Sequence, residues 1–222
     1  KDSTALLLIA YEYFSRIDFD DYYVVYTEVT GNTHNINIEF VKKTLEHLGL
    51  HDKLIYTKNI KHDFFNCLVH WGLPHFKNRW CMRVFKTDVW KKLAPGVAIS
   101  GQKASDSPRR RKFYANGILY RSSYTGFYNV LPLFSWETIH VLSYLRRKSR
   151  EYKYNFTSEA YRIARDSLNC VFCPFKRKSQ IIAILNLPEW KERILNALNQ
   201  VKKDYLGVKT RWLKHLPQTI LP

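Results

Sequence analysis

The stretch YYVVYTEV, Tyr22 to Val29, constrains the fold more than any other part of the chain. Its β-branched and aromatic residues follow one another with little polar alternation, as in strands buried on both faces of a parallel sheet. TGNTH breaks the run, and NINIEFVKKTLEHLG continues as an amphipathic helix with Gly49 as its expected C′ residue. Parallel strands need long crossovers, usually helical, and the rest of the chain supplies them. Lys53 to Lys58 (KLIYTK) reads as a short strand, HDFFNCLVHWG as a helix stopped by Gly72 and Pro74, and Arg79 to Leu93 as another helix. Gly96 to Ser100 (GVAIS) is a further strand, and Ser3 to Phe14 an apolar helix suited to a sheet face. NVLPLFSWETIHVLSYLRR contains a helix start with Ser135 as the expected N-cap. From about Tyr154 the pattern is helical, interrupted by CVFCPF. The expectation is α/β: a doubly wound, mostly parallel sheet over 1–153, then a helical, cysteine-bearing C-terminal segment over 154–222.

In such sheets ligands collect at the carboxyl ends of the strands. Three polar loops are expected there together: KDST (Lys1 to Thr4), TGNTH (Thr30 to His34) and GQKASDSPRRR (Gly101 to Arg111). A loop feeding a helix offers free backbone N–H groups and the positive end of the helix dipole, a setting for phosphate. Lys1 would add a charge, Ser3 and Thr4 hydroxyls, and Asp2 an orienting or metal-binding carboxylate. On these four residues alone an ordinary helix cap explains as much. Read through Lys112 (SGQKASDSPRRRK), the third loop brings hydroxyls, Asp106 and at least five basic residues, and an arginine fork suits phosphate oxygens. A basic surface loop is the competing reading.

Charge widens the choice of partners. Lys and Arg number 36 against 19 acidic residues, a formal net charge of +17, gathered in RRRK (109–112), RRKSR (146–150), KRK (176–178) and the C-terminal region. Clustered positive charge favours polyanions, with a solvated basic surface as the alternative. No apolar run reaches the roughly 18 residues that span a bilayer, so no membrane partner and a cytoplasmic location are expected. Four cysteines are too few to call for a disulfide framework in a chain of this length. Cys170 and Cys173, in CVFCP, have a spacing that lets two thiolates face one metal. Cys81, in NRWCMR, follows a loop and is a further ligand candidate. Cys67 lies in an apolar helical pattern, where a small core residue is the simpler reading. Zinc, an iron–sulfur cluster, a redox pair and buried thiols all remain open on these residues.

Together, and in this order, these elements resemble the phosphoadenosine phosphosulfate (PAPS) reductase-like branch of the PP-loop ATP pyrophosphatase superfamily. Lys1-Asp2-Ser3 is similar to the second half of that family's S-G-G-K-D-S loop, with the strand and glycines expected upstream of Lys1. VVYTEVTGNTH resembles its second strand and nucleotide-facing turn, where D-T-G is more usual. RWCMRVFK is similar to R-W-C-x-x-x-x-K, which places Cys81 and Lys86. SGQKASDSPRR resembles G-x-R-x-x-E-S-x-x-R, with Lys103 for Arg and Asp106 for Glu. LPLFSWETIHVLSYL and NCVFCPF resemble two later elements, the second with Asn169 for Gly. The resemblance runs from Lys1 to about Phe175.

It implies an enzyme that cleaves ATP to AMP and pyrophosphate and activates a substrate by adenylation, for sulfur transfer to a nucleic acid such as tRNA or DNA. Asp2, Lys86 and Arg110 are implied as catalytic. Nucleotide binding falls to Lys1, Asp2, Ser3, Thr4, Thr30, Gly31, Asn32, Thr33, Gly101, Lys103, Asp106, Ser107 and Arg110, with Mg²⁺ on the phosphates. Cys81, Cys170 and Cys173 would hold an iron–sulfur cluster, with Cys67 or an external sulfur as fourth ligand and zinc as the alternative metal. The sequence carries no cysteine after Cys173, which sets it apart from sulfonucleotide reductases. Two rivals stand beside this reading: a sulfonucleotide-binding enzyme, and a non-catalytic nucleic-acid-binding protein with a vestigial PP-loop and zinc. A homodimer is compatible with the fold.

Overall fold

The computed structural model describes residues 1–93, 96–113, 119–122, 125–165, 167–202 and 207–215. Helices and short strands alternate through the first part of the chain, and helices fill the last part. The first helix, α1 (Asp2–Arg16), is followed by β1 (Val24–Glu28), α2 (Asn35–His47), β2 (Leu54–Lys58) and α3 (Phe64–Trp71). Then come α4 (Trp80–Met82), a π-helical turn (Arg83–Thr87), α5 (Asp88–Leu93), β3 (Val97–Ile99), a 3₁₀ turn (Ala104–Asp106) and α6 (Pro108–Phe113). The chain continues through β4 (Leu119–Arg121), β5 (Tyr128–Val130), α7 (Thr138–Glu151), α8 (Ala160–Ala164), α9 (Lys178–Leu185), α10 (Pro188–Gln200) and α11 (Val208–Leu213). Among the described residues no helix is long and apolar enough to cross a membrane.

The protein is α/β, with its strands in two small sheets among the described residues. One is β1–β2; the other has the order β3–β5–β4. β3 runs parallel to β5, with Val97 opposite Tyr128 and Ile99 opposite Val130. β4 is antiparallel to β5, with Leu119 opposite Val130 and Arg121 opposite Tyr128; six residues between strands are too few for a parallel crossover.

Two details depart from expectation. Ser135 does not cap α7. A turn over 131–136, closed by Phe134 N–H to Leu131 C=O at 3.1 Å and Trp136 N–H to Leu133 C=O at 3.0 Å, delays the helix until after Glu137. The Glu137 N–H donates instead to His140 Nδ1 at 3.1 Å. The helix expected over Arg79 to Leu93 is interrupted by the π turn at 83–87. The wider turn inserts a residue that hydrophobic periodicity does not register, and such bulges are frequent at functional sites.

The chain forms two compact units, each assembled from three stretches. The first comprises Lys1–Val24, Thr44–Ile55 and Trp90–Thr157. Here α1 packs on α7, over a core that includes Leu8, Leu45, Leu131, Val141 and Phe156. Buried Lys148 on α7 reaches Glu12 of α1 at 2.5 Å and Glu151 at 2.8 Å, and the Tyr152 hydroxyl donates to Glu12 at 3.0 Å. The second unit comprises Val25–Lys43, Tyr56–Val89 and Ser158–Pro222. One contiguous apolar cluster fills it, with Phe64, Phe85, Phe172, Ile181, Ile194 and Trp212 among its members. α10 lies on α3 and α9, and α8 on α9.

Candidate nucleotide site and thiol pocket

In the first unit the structure brings two of the three polar loops together. Lys103 is fully buried, and its ammonium is held by Asp2 at 2.6 Å and Asp106 at 2.8 Å. Lys1 closes on Asp2 from the other side at 3.1 Å, and Arg110 Nη1 reaches Asp106 at 2.5 Å. The result is a chain of alternating charge, Lys1–Asp2–Lys103–Asp106–Arg110. Burial pushes the Asp2 carboxyl up, but the hydrogen bonds and charges of Lys103 and Lys1 outweigh it and hold it below its ordinary value. Burial likewise pulls Lys103 down, and its bonds to Asp106 and Asp2 carry it above the ordinary lysine range.

Backbone geometry makes this approach possible. A Cβ on Gly101 would lie 3.0 Å from the carbonyl carbon and oxygen of Asp2, so only glycine lets the loop come this close to the start of α1. The turn that delays α7 anchors the same loop: Phe134 C=O accepts from Ala104 N–H and Trp136 C=O from the Ser105 hydroxyl, both at 2.9 Å. Ser107 Oγ accepts from Arg110 N–H at 3.2 Å and starts α6. Ser3 is exposed at the first turn of α1, while Thr4 is buried beneath it.

The third loop, 30–34, belongs to the second unit, and its side chains are engaged there. Thr30 donates to Asn59 C=O at 2.7 Å. Asn32 is fully buried and pairs with the Phe172 backbone in both directions, donating to its C=O at 2.9 Å and accepting from its N–H at 2.7 Å. Thr33 Oγ1 accepts from Val29 N–H and donates to Asn169 C=O, both at 3.0 Å. Asn37 donates to the Tyr26 hydroxyl at 2.7 Å, and Tyr26 donates to Asn169 Oδ1 at 2.9 Å. The turn is thereby bound to the segment that carries the C-x-x-C pair. Gly31 has φ +79°, and a Cβ there would fall inside contact distance of Asp63 Oδ2. Asp63 is already engaged, capping α3 through Phe65 and Asn66 N–H and pairing with Arg193 at 3.1 Å.

Cys81, Cys170 and Cys173 line one pocket of about 100 Å³, together with Lys86, Arg79, Asn32 and Phe175. Lys86 comes from the π turn, and the charge that Cys170 carries when ionised, ahead of the opposing burial, raises its ammonium above the ordinary range. Burial first, and then the Cys170 charge, push the Cys173 thiol up to about 11 and Cys81 in the same direction. Nearby Lys176 is pulled down to about 8 by burial and by the charge of Lys86. Cys67 sits apart on α3 in the apolar cluster and is not a lining residue. Among the described residues no group of three or more His, Cys, Asp or Glu side chains is arranged to hold a metal ion. The pocket offers three soft donors that have not closed around a common point. Sequence reasoning passed over Arg79 and Phe175, although both flank the cysteine motifs it singled out.

Residues 1–173 match the phosphoadenosine phosphosulfate reductase domain, and the chain belongs to that family. Its similarity extends to the uncharacterized protein MJ0066 of Methanocaldococcus jannaschii, with 24% identity over 225 residues covering 96% of this chain. The chain spans 42% of that relative's length.

Proposed function

We propose that this chain is a PP-loop enzyme that binds ATP, cleaves it to AMP and pyrophosphate, and adenylates a substrate for sulfur transfer to a nucleic acid. The observation that carries the reading is Lys103: a fully buried ammonium that ties Asp2, at the start of α1, to Asp106 and through it to Arg110. Such a network fixes a helix N-terminus and a basic loop side by side, the two elements that neutralise a polyphosphate. The substrate oxygen attacks the α-phosphorus, the bond to the β-phosphate breaks, and pyrophosphate departs with the charge that Lys1 and Arg110 offset. Asp2 and Lys103 act by holding that geometry. Mg²⁺ belongs on the phosphates in this scheme, because Asp2 already faces two ammonium groups. The β1–β2 and β3–β5–β4 sheets are taken as parts of a doubly wound core, with 1–153 supplying nucleotide chemistry and 154–222 the C-x-x-C pair.

The donor set Cys81, Cys170 and Cys173 fits an iron–sulfur cluster in kind, with zinc second and an external sulfur in the fourth position. Bound there, a cluster would supply a site for sulfur or electrons. Lys86 would balance the charge of the thiolates.

Pyrophosphate release from ATP by the intact protein, with RNA or DNA present, tests the first claim. Release that disappears in Lys103→Ala is expected; no release with any nucleic acid overturns it. Anaerobically purified protein is expected to carry iron and acid-labile sulfide, lost in Cys170→Ser and kept in Cys67→Ser. Colourless protein without either overturns the cluster. The family also favours a sulfonucleotide reading, and tighter calorimetric binding of adenosine 3′,5′-bisphosphate than of ATP would select it.

A further inference from the structure

The mouth of the thiol pocket has an unusual composition. Two stretches that carry most of its lining, 64–87 and 167–188, hold seven Lys and Arg, two of them (Arg79 and Lys86) in the lining. Acidic residues at 63, 88, 166 and 189 stand just beyond them in the sequence, and residues 207–215 add Lys209, Arg211 and Lys214. Two apolar side chains lie open within this basic rim, Phe175 at 49% and Met82 at 40% exposure, and both line the pocket. The exposed Arg79 lies over the Phe175 ring, its guanidinium carbon 4.9 Å from the centroid. Arg211 braces the same loop from behind, donating to Pro174 C=O at 2.9 Å and also to Lys176 C=O. Gripping the carbonyls on either side of residue 175 holds that ring in place. Arg177 and Lys178 carry that loop into the start of α9, and Lys214 ends α11 three residues beyond Arg211; all three are exposed.

We infer that this mouth is a seat for single-stranded nucleic acid: an unpaired base adds to the Phe175–Arg79 stack while Arg177, Lys178 and Lys214 take flanking phosphates. An exposed ring under a guanidinium offers two planar surfaces, and bases stack on either. The cations outnumber what a single phosphate can neutralise, which favours a strand over a mononucleotide. A duplex keeps its base faces covered and gains only the charges. The seat deepens the proposed sulfur transfer, on whose reading it rests, by setting an unpaired nucleotide beside the three thiols.

Fluorescence anisotropy with labelled single strands of RNA and of DNA, about twelve nucleotides long, and with a duplex of equal length tests the inference. Single strands are expected to bind more tightly than the duplex. Phe175→Ala should weaken single-strand binding by about tenfold without changing the salt dependence, and Phe175→Tyr should restore it. Lys178→Ala with Lys214→Ala should instead flatten the slope of log K against log salt by about 1.4. Phe175→Ala binding like the parent, or a duplex bound as tightly as the single strand, overturns the seat. Which of RNA and DNA binds better identifies the strand. A protein that binds strands this way but releases no pyrophosphate overturns the ATP chemistry alone; one that releases pyrophosphate but is indifferent to Phe175 overturns the seat alone.

Discussion

Lys103 stands between two carboxylates with no water access of its own, so its removal leaves Asp2 and Asp106 short of a counter-charge. Breaking a buried pair from one side costs about 3–5 kcal/mol, and Lys103→Met should lose about that much in urea denaturation at neutral pH. The pH dependence follows from the direction of each shift. Asp2 is held below its ordinary 3.8, so its contribution is complete above that value and is lost as pH falls through the lower folded value. Lys103 is raised above 10.5, so its contribution is complete below 10.5 and is lost as pH rises through the higher folded value. The Lys103→Met deficit should therefore be widest across the neutral range and narrow in acid. Asn32 makes a second residue-scale case. Asn32→Ala leaves the buried N–H and C=O of Phe172 without these partners, a cost of about 1–3 kcal/mol for each group left unsatisfied. Faster maleimide labelling of Cys170 and Cys173 should accompany the loss, since Phe172 lies between them. Unchanged labelling would mean that Asn32 does not hold the thiol loop. The first of these residues was legible: Asp2, Lys103 and Asp106 all fall in motifs. Asn32 was read as a nucleotide-facing turn residue, and its pairing with Phe172 was not legible, because that partner lies 140 positions away and nothing local marks it.

At the scale of elements, what the sequence conveyed was order and type, and what it concealed was how elements end and meet. The strand at β1, the cap at Asp63 and the stop at Gly49 follow from local chemistry, although β1 is half-buried rather than buried on both faces, with β2 as its one paired neighbour among the described residues. The π turn at 83–87 does not, yet it carries Lys86 in the pocket lining. Nor does the turn at 131–136, which delays α7 and whose carbonyls anchor the 104–105 backbone and hydroxyl. The approach of the 101–106 loop to α1 can be tested directly. In Gly101→Ala the new methyl meets Asp2 backbone rather than a flexible side-chain end, so it must push two elements apart. A loss of about 1–3 kcal/mol is expected, as for other overpacked sites. Because the displacement separates Asp2 from Lys103, Gly101→Ala and Lys103→Met should be less than additive when combined. Full additivity in denaturant midpoints would show that Gly101 acts elsewhere.

The two units are held by different physics, and this appears only at the scale of the whole chain. The second is filled by one aromatic and aliphatic cluster. The first adds to its apolar core two buried lysines, Lys103 and Lys148, each bonded to two carboxylates. Burial pulls Lys148 down, and its bonds to Glu12 and Glu151 carry it above 10.5, so its contribution, like that of Lys103, is complete below 10.5 and fades as pH rises through the folded value. Composition alone cannot assign these lysines to one unit, because buried Lys and surface Lys look alike in a chain with net charge +17. Alkali weakens the second unit too, because burial holds its Cys173 thiol up at about 11, a contribution complete below 9 and lost as pH rises through the folded value. Acid should instead single out the first unit, once Asp2 is protonated, because apolar burial does not titrate. Native-state hydrogen exchange, corrected for the intrinsic pH dependence of exchange, reads this out by segment. Protection over 1–24, 44–55 and 90–157 should fall first as pH is lowered below 3.8, while protection in α3, α9 and α10 persists. Loss of protection in both units at the same pH would show that the chain unfolds as one cooperative body and that the lysine networks do not set its weakest part.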